Sequence, residues 1–220
     1  MYSIVEENYI KNIYLLIENS NSTIVKTNDI AYKLNYSAAS VTDMLKKLAS
    51  KNLITYKKYY GVELTKKGRN LALHIIRKHR LWELFLTRVL HFTWDKVHDI
   101  AEQLEHIHSD ELIDSIDKLL NYPKFDPHGD PIPDAKGNME AIEVTMLSNA
   151  TINKKYKLVH FSNHSTAFLK YMKKINLSLQ QVFLIVDIEE FDNSVWIKNS
   201  SKKDIYISAE AAKCLFVTLV

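Results

Sequence analysis

The first 65 residues carry a succession of hydrophobic patterns that few folds accommodate. Apolar residues recur at helical spacing over residues 4–18, and a shorter helical pattern covers residues 27–34. Ser37 is a suitable N-cap for a third helix that continues to about Lys51, and two short strand patterns joined by residues 57–59 follow it. Helix, short helix, turn, helix and basic hairpin is the order of a winged helix-turn-helix, so the pattern predicts a DNA-binding domain.

Charge is unevenly distributed along the 220 residues. Residues 1–80 hold 14 Lys and Arg against 6 Asp and Glu, residues 81–140 hold 5 against 13, and residues 141–220 hold 10 against 7. The basic first third indicates a polyanionic partner. The acidic middle third contains five of the nine histidines, which indicates a cation site.

Several protein classes are disfavoured by composition. The single cysteine, Cys214, excludes an intrachain disulfide framework and a Cys-based zinc knuckle. No apolar run approaches the roughly 18 residues of a membrane span. The first residues include early acids and lack the basic and apolar regions of a signal peptide. We therefore expect a cytoplasmic protein without a membrane partner.

The third predicted helix and the hairpin supply the residues expected to contact DNA. Short side chains can reach base edges, whereas lysines contact phosphates. The predicted DNA-binding residues are Ser37, Ala39, Ser40, Thr42, Lys46, Lys47, Lys57 and Lys58. An amphipathic surface helix would show the same pattern in isolation, so the interpretation depends on the element order and the charge.

The rest of the chain divides into three stretches. Residues 94–120 predict another helix pair, broken near Ser109, with an apolar face that suits either the intrachain core or a dimer interface. Residues 123–133 contain all four prolines, so they predict a tether. From residue 143, short strand patterns around one helical stretch predict a small β-barrel.

Metal-ligand side chains recur at helical spacing on two consecutive predicted helices. They are His79 and Glu83 on one helix and, on one face of the next, His98, Glu102, Glu105 and His106. Imidazole and carboxylate groups without a thiolate suit Mn, Fe(II), Co, Ni or Zn. A surface ion pair would explain any single pair, but six such residues favour a metal site.

Six motifs extend over most of the chain. They are Glu7-Asn-Tyr-Ile-Lys-Asn-Ile-Tyr14, Leu64-Thr-Lys-Lys-Gly68, Arg77-Lys-His-Arg-Leu81, Lys96-Val-His-Asp99, Glu105-His106 with Ser109-Asp110-Glu111, and His128-Gly-Asp-Pro-Ile-Pro133. In these motifs the chain resembles the diphtheria-toxin-repressor family of metal-dependent transcription regulators, including its manganese-sensing (manganese-transport-regulator) and streptococcal branches.

The resemblance implies a mainly α fold with small β parts and four segments. These are a winged helix-turn-helix DNA-binding domain (1–73), a helical dimerisation and metal-binding domain (74–122), a proline-containing tether (123–142) and an SH3-like (FeoA-type) small β-barrel (143–220).

The resemblance also implies a first metal site that uses the positions of Asn8, Glu102, Glu105 and His106. Asn8 departs from the Met or Asp that the family usually has, although an amide oxygen can still bind a metal. Lys11 stands where manganese sensors with a paired site have Glu, and this cation would repel a second ion.

A second implied site collects residues from three parts of the chain. The family uses the positions of His79, Glu83 and, in iron-sensing members, His98. The streptococcal branch adds the positions of Asp126 and His128, where Asp replaces a Cys and favours harder ions. The last ligand usually comes from the carboxy-terminal domain, where His160, Asn163 or His164 could serve. The alternative is that this domain provides no ligand.

The expected function is that of a repressor. The resemblance implies a homodimer that binds palindromic double-stranded DNA operators when Mn(II) or Fe(II) is bound, and that controls metal uptake and homeostasis genes. Zn, Co or Ni could replace these ions in vitro. The alternative is a winged-helix regulator that answers a non-metal ligand, with the His/Glu cluster structural.

An enzyme is disfavoured, and no protein substrate is expected. The chain has neither paired Glu-x-x-His motifs nor His-Glu-x-x-His, and it lacks a Gly-rich phosphate loop.

Overall fold

The computed structural model describes residues 2–18, 20, 22–94, 96–140, 143–199 and 204–220. The chain divides into two compact units. The first unit comprises Met1–His79, Glu102–Ile113 and Pro133–Asn138, and the second comprises Arg80–Ala101, Asp114–Ile132 and Met139–Val220. Within the described ranges, no helix is both long and apolar enough to cross a membrane.

The amino-terminal part of the first unit has the predicted winged helix-turn-helix architecture. Its elements are α1 (Ile4–Glu18), α2 (Thr27–Leu34), α3 (Ala38–Ser50), β1 (Ile54–Lys57) and β2 (Gly61–Leu64). The core residues of the three helices have no exposed surface: Ile10, Ile13, Ile30, Val41, Leu45 and Leu48. Helix α3 buries one apolar stripe, so its opposite side faces solvent.

The start of α2 differs in detail from the prediction. The sequence suggests that Thr27 and the polar residues after it cap this helix, but Lys26 holds the N-cap position without a side-chain hydrogen bond. The preceding residue explains the position of this cap. Val25 forms an isolated β-bridge with Val62, and the backbone is still extended at Lys26. At the other end, Asn35 adopts a left-handed conformation (φ 55°) that terminates α2.

The hairpin of β1 and β2 forms the wing. Ile54 lies opposite Leu64, and Lys57 lies opposite Gly61, so Lys57 belongs to the first strand rather than to the connection. Gly61 has φ +131°, and a Cβ there would lie 2.6 Å from the Val25 carbonyl oxygen. Glycine is therefore required at this position.

Three further helices follow the wing. They are α4 (Lys66–Arg88), α5 (Val97–Leu104) and α6 (Asp110–Leu119). Thr65 Oγ1 accepts a hydrogen bond from the Gly68 N–H at 3.1 Å, and Ser109 Oγ accepts one from the Leu112 N–H at 3.3 Å. Both hydroxyls therefore cap the helices that follow them.

The second unit contains a six-stranded antiparallel sheet. Its strands are β3 (Thr145–Met146), β4 (Lys155–Phe161), β5 (Val182–Ile188), β6 (Val195–Asn199), β7 (Asp204–Ile207) and β8 (Leu215–Leu219), in the order β3-β8-β4-β5-β6-β7. Helices α7 (Thr166–Lys174) and α8 (Ala209–Ala212) accompany the sheet, and Phe168, Leu169 and Met172 of α7 join its core. The predicted fold class, with a small β domain after the helices, is confirmed.

Sequence reasoning missed β3, α8 and β8. Strand β8 pairs with both β3 and β4, so it lies inside the sheet. It follows the four-residue helix α8 without Gly or Pro between them, and no local signal separates the two.

The proline-containing stretch is packed over much of its length. Asp126, His128, Asp130 and Ile132 are all buried. The Phe161 N–H donates to the His128 carbonyl oxygen at 3.1 Å. This stretch therefore holds polar side chains at fixed positions in the second unit. The limits of the four segments predicted from the sequence stay predictions.

Candidate metal and DNA-binding sites

Three metal-ligand side chains meet in the first unit. His79 comes from α4, Glu102 from the last turn of α5, and Glu105 from the turn after that helix. One ligand atom of each lies within 4.8 Å of the others. The Glu105 side chain has no exposed surface, and its Oε2 lies 2.6 Å from His79 Nδ1. A buried carboxylate needs such partners.

The position of Glu105 and His106 corrects a prediction. The sequence places them on one helix face with His98 and Glu102, but α5 ends at Leu104. The Ile107 N–H donates to the Leu104 carbonyl oxygen at 3.1 Å and closes a turn in which Glu105 points inward. Polar tertiary partners, rather than helical spacing, therefore bring Glu105 to this cluster.

Lys11 of α1 inserts between the two acidic side chains. Its Nζ donates to Glu102 Oε1 and to Glu105 Oε1, each at 2.6 Å, and only 4% of its side chain is exposed. An ammonium group already neutralises part of the negative charge of the cluster. That Lys11 opposes a second ion stays a prediction.

Glu7 is a residue that sequence reasoning missed. Its Oε2 lies 2.6 Å from His106 Nδ1, and its Oε1 lies 3.7 Å from His108 Nε2. His106 Nε2 in turn lies 3.6 Å from Glu105 Oε1. The only signal for Glu7 in the sequence is that it is acidic and adjacent to Asn8. The resemblance assigns Asn8, but not Glu7, to the first metal site.

Asn8 provides an independent test of metal fit. Its Oδ1 is buried and, among the described residues, accepts no hydrogen bond. A buried amide oxygen without a donor is unfavourable unless a ligand contacts it. Carboxylate, imidazole and amide oxygen donors suit Mn(II) or Fe(II), so the residues of the first unit fit such an ion.

A second cluster lies in the second unit. Ligand atoms of Glu83, Asp126 and His128 lie within 4.8 Å of one another, and all three residues are buried. Glu83 Oε1 is 3.2 Å from His98 Nδ1, and its Oε2 is 3.4 Å from His128 Nδ1. His79 belongs to the first unit, so its predicted grouping with Glu83 and His98 stays a prediction.

The backbone fixes Asp126 in this cluster. Its Oδ1 accepts the N–H groups of His128 at 2.7 Å and of Asp130 at 2.9 Å. Burial, with the neighbouring charges of Asp130 and Glu83, raises the pKa of Asp126 to about 7. The side chain is thus poised to lose a proton when a cation binds.

The histidines from the carboxy-terminal domain lie beside this cluster. The His164 ring stacks on that of His128 with centroids 4.6 Å apart, and its Nε2 lies 3.0 Å from Asp130 Oδ2. Burial opposes the charged form of His164, but the hydrogen bond and charge of Asp130 raise its pKa to about 9. His160 Nδ1 lies 3.7 Å from Asp130 Oδ1, whereas Asn163 Oδ1 accepts the Ser165 N–H. Which of the three completes a site stays a prediction.

The predicted base-reading residues cluster at the start of α3. Ser37 Oγ accepts the Ser40 N–H at 3.2 Å, and Thr42 Oγ1 donates to the Ala38 carbonyl oxygen at 2.8 Å. Ala39 is exposed beside them. Ser40 Oγ lies 2.9 Å from Ser37 Oγ, so all three hydroxyls already have partners within this segment.

The predicted phosphate-binding lysines differ in their surroundings. Lys57 and Lys58 are exposed on the wing, and Lys46 forms a surface ion pair with Asp43 at 3.0 Å. Lys47 Nζ lies 3.1 Å from the buried carboxylate of Glu6, which the sequence did not single out.

The chain matches two described domains of one family. Residues 1–62 match the iron dependent repressor N-terminal DNA binding domain, and residues 65–134 match the iron dependent repressor metal binding and dimerisation domain. The diphtheria toxin repressor of Corynebacterium jeikeium is 35% identical over 136 residues, which are 62% of this chain and 56% of that protein. The chain therefore matches little more than half the length of this curated relative.

Solved structures cover nearly the whole chain. A manganese-dependent transcriptional repressor in complex with manganese aligns with a TM-score of 0.89 and 31% identity over 97% of this chain and 99% of that one. The manganese regulator SloR aligns with a TM-score of 0.80 and 33% identity over 98% of each chain. The chain belongs to the diphtheria-toxin-repressor family of iron- and manganese-dependent repressors.

Proposed function

We propose that this protein is a metal-dependent transcriptional repressor rather than an enzyme. It binds palindromic double-stranded DNA operators as a homodimer in the cytoplasm when Mn(II) or Fe(II) is bound, and it controls genes of metal-ion uptake and homeostasis. Its relatives include repressors named as iron- or manganese-dependent.

One observation carries the proposal. In the first unit, α1 of the winged helix-turn-helix contacts the ligand-type residues through two side chains, with Glu7 Oε2 2.6 Å from His106 and Lys11 Nζ 2.6 Å from Glu105. A change at the cluster therefore acts directly on the DNA-binding domain.

The proposed first site consists of Asn8, Glu102, Glu105 and His106, with Glu7 and His79 beside it. A bound divalent ion supplies positive charge and fixed donor geometry. Glu7 and Asn8 then hold the start of α1 against the turn that bears Glu105 and His106. This fixes the orientation of the DNA-binding domain, so that two recognition helices of a dimer fit successive major grooves.

The proposed second site uses Glu83, His98, Asp126 and His128, with His79 and His164 as the remaining candidates. Its donors are again oxygen and imidazole nitrogen. Both sites therefore favour Mn(II) or Fe(II), while Zn, Co or Ni would bind in vitro by the general affinity order. Ion binding shifts a pre-existing conformational equilibrium towards the conformation that binds the ion more tightly.

The test is DNA binding by chelator-stripped protein. A duplex is first selected from a randomised pool in the presence of Mn(II), and its binding is then followed by fluorescence anisotropy with Mn(II), anaerobic Fe(II) or Zn(II). We expect tighter binding with Mn(II) or Fe(II), by about 5- to 150-fold. Glu102→Ala and His106→Ala should abolish the gain.

Affinity that is equal with and without metal would contradict the proposal. It would favour a winged-helix regulator of a non-metal ligand, because Lys11 and the Glu7–His106 pair hold the cluster together without an ion. The matched control is Asp43→Asn, which removes an acidic charge outside the cluster.

A further inference from the structure

Glu6 connects the start of α1 with the end of the recognition helix α3. Its Oε1 accepts a hydrogen bond from Lys51 Nζ at 2.6 Å and lies 3.1 Å from Lys47 Nζ. Lys47 is in the last turn of α3 and Lys51 is its C-cap. The side chain of Glu6 is 1% exposed, whereas those of Lys47 and Lys51 are 54% and 36% exposed, so a buried carboxylate has two partly solvated ammonium groups as its partners.

The second carboxylate oxygen of Glu6 fixes the residue to its own helix. Glu6 Oε2 accepts the Ser3 N–H at 3.0 Å, and Ser3 Oγ accepts the Glu6 N–H at 3.3 Å. This reciprocal pair is a capping box, which rigidifies the first turn of α1. Tyr2 adds to the anchoring, since Lys51 Nζ lies 5.7 Å from its ring centroid.

The next residue along the chain faces the candidate metal site. Glu7 lies 2.6 Å from His106, and Asn8 carries the buried amide oxygen without a donor. Adjacent Cα atoms are about 3.8 Å apart. One helical turn therefore touches the metal-ligand cluster with Glu7 and the recognition helix with Glu6.

We infer that Glu6 is a positioning residue that transmits metal binding at the Glu7–Asn8 turn to the recognition helix through Lys47 and Lys51. This inference rests on the proposed function and adds the contacts through which metal binding acts on the recognition helix. When Glu7 and Asn8 are held by an ion, Glu6 cannot shift relative to them. Its two lysine contacts then fix the end of α3, and with it the register of the base-reading residues at the start of that helix.

The main test compares Glu6→Gln with Asp43→Asn. Glutamine still accepts the Ser3 N–H and keeps the capping box, but it loses the ionic contacts to the lysines. Asp43→Asn also removes one negative charge, but from an exposed ion pair with Lys46 on α3 itself. Each variant is titrated with Mn(II), once with a competing chromophoric chelator and once with the Mn(II)-selected duplex.

We expect Glu6→Gln to bind Mn(II) within about twofold of wild type, while the metal-induced gain in DNA affinity falls at least about fivefold. Asp43→Asn should keep the full gain. Hydrogen exchange on the free protein gives a second readout. Mn(II) should slow exchange at the end of α3 in wild type and not in Glu6→Gln.

Two results would overturn the inference. One is a Glu6→Gln gain equal to that of Asp43→Asn, and the other is a loss of DNA response fully matched by a loss of Mn(II) affinity. A wild-type protein without any metal response would instead refute the proposed function. If Glu6→Gln fails to fold, Lys51→Met tests the same contact and should lose the gain in the same way. Its control is Lys170→Met, which removes an exposed lysine of α7 that is not among the predicted DNA-binding residues.

Discussion

At the scale of single residues, one buried cation defines the first cluster. Lys11 contacts both Glu102 and Glu105 at 2.6 Å, and Glu105 is completely buried. Removing one partner from a buried pair leaves an uncompensated charge, which is more harmful than losing a surface pair. Lys11 therefore stabilises the protein without metal and competes with an incoming ion.

Lys11→Met should lower the free energy of unfolding of the metal-free protein by about 3–5 kcal/mol. Lys46→Met, which breaks an exposed pair with Asp43, should lower it by less than about 1 kcal/mol. Saturating Mn(II) should restore much of the stability of Lys11→Met, because binding to the folded state adds stability. Urea unfolding with and without Mn(II) measures each value. Equal stability of the two metal-free variants would contradict the role of Lys11.

Asp126 gives the second cluster a dependence on pH. Burial, Asp130 and Glu83 raise the pKa of Asp126 from 3.8 to about 7. A carboxyl whose pKa is raised on folding contributes stability below about pH 4, and this contribution is lost as the pH rises towards 7.

Asp126→Asn should therefore be more stable than wild type at pH 8, by more than about 1 kcal/mol without metal, and the difference should vanish near pH 4. Asparagine keeps an oxygen for the His128 and Asp130 N–H groups. Denaturant unfolding at several pH values measures the difference. Exposed Asp134, whose pKa is lowered by hydrogen bonds from Asn138, is the control: Asp134→Asn should gain no stability at pH 8. If the stability difference between Asp126→Asn and wild type did not change with pH, the raised pKa of Asp126 would be contradicted.

At the scale of elements, capping decides where the recognition helix begins. The sequence predicts Ser37 as the N-cap of α3 and, with Ser40, as a base-reading residue, and the structure confirms the cap. Thr42 is likewise bonded within the helix. The sequence predicts the start of α3 correctly because capping signals are local. It extends α5 too far, because Glu105 and His106 continue the helical spacing of His98 and Glu102.

Ser37→Ala should destabilise the protein by about 1 kcal/mol, since an N–H of the first turn of α3 loses its acceptor. Ser37→Asn should retain most of the stability because asparagine also caps helices. Thermal unfolding of the two variants measures the difference. If alanine and asparagine at this position gave the same melting temperature, the cap would not contribute to stability.

At the scale of the whole molecule, charge is segregated along the chain. The basic first third contains the winged helix-turn-helix, and the acidic middle third contributes the proposed metal ligands Glu83, Glu102 and Glu105. Such a distribution favours approach to a polyanion through the DNA-binding domain, and the affinity should fall as salt rises.

Lys57→Ala on the wing should weaken binding to all duplexes similarly and reduce the slope of log affinity against log salt by about one. Lys170→Ala, on the exposed side of α7, removes the same charge elsewhere and should leave the slope unchanged. Anisotropy titrations between low and moderate salt measure both slopes. An unchanged slope for Lys57→Ala would remove the wing from the proposed DNA interface.

The sequence by itself determined most helices, the hairpin, most strands and the residue types of both clusters. These follow from periodicity, caps and turn residues, which act over a few neighbours in the chain. The tertiary structure decided which side chains meet. Lys11 lies between Glu102 and Glu105, Glu7 contacts His106, and Glu6 contacts Lys47, although 41 to 99 residues separate these partners. Buried charges require partners wherever the fold can supply them, and no local pattern encodes that choice.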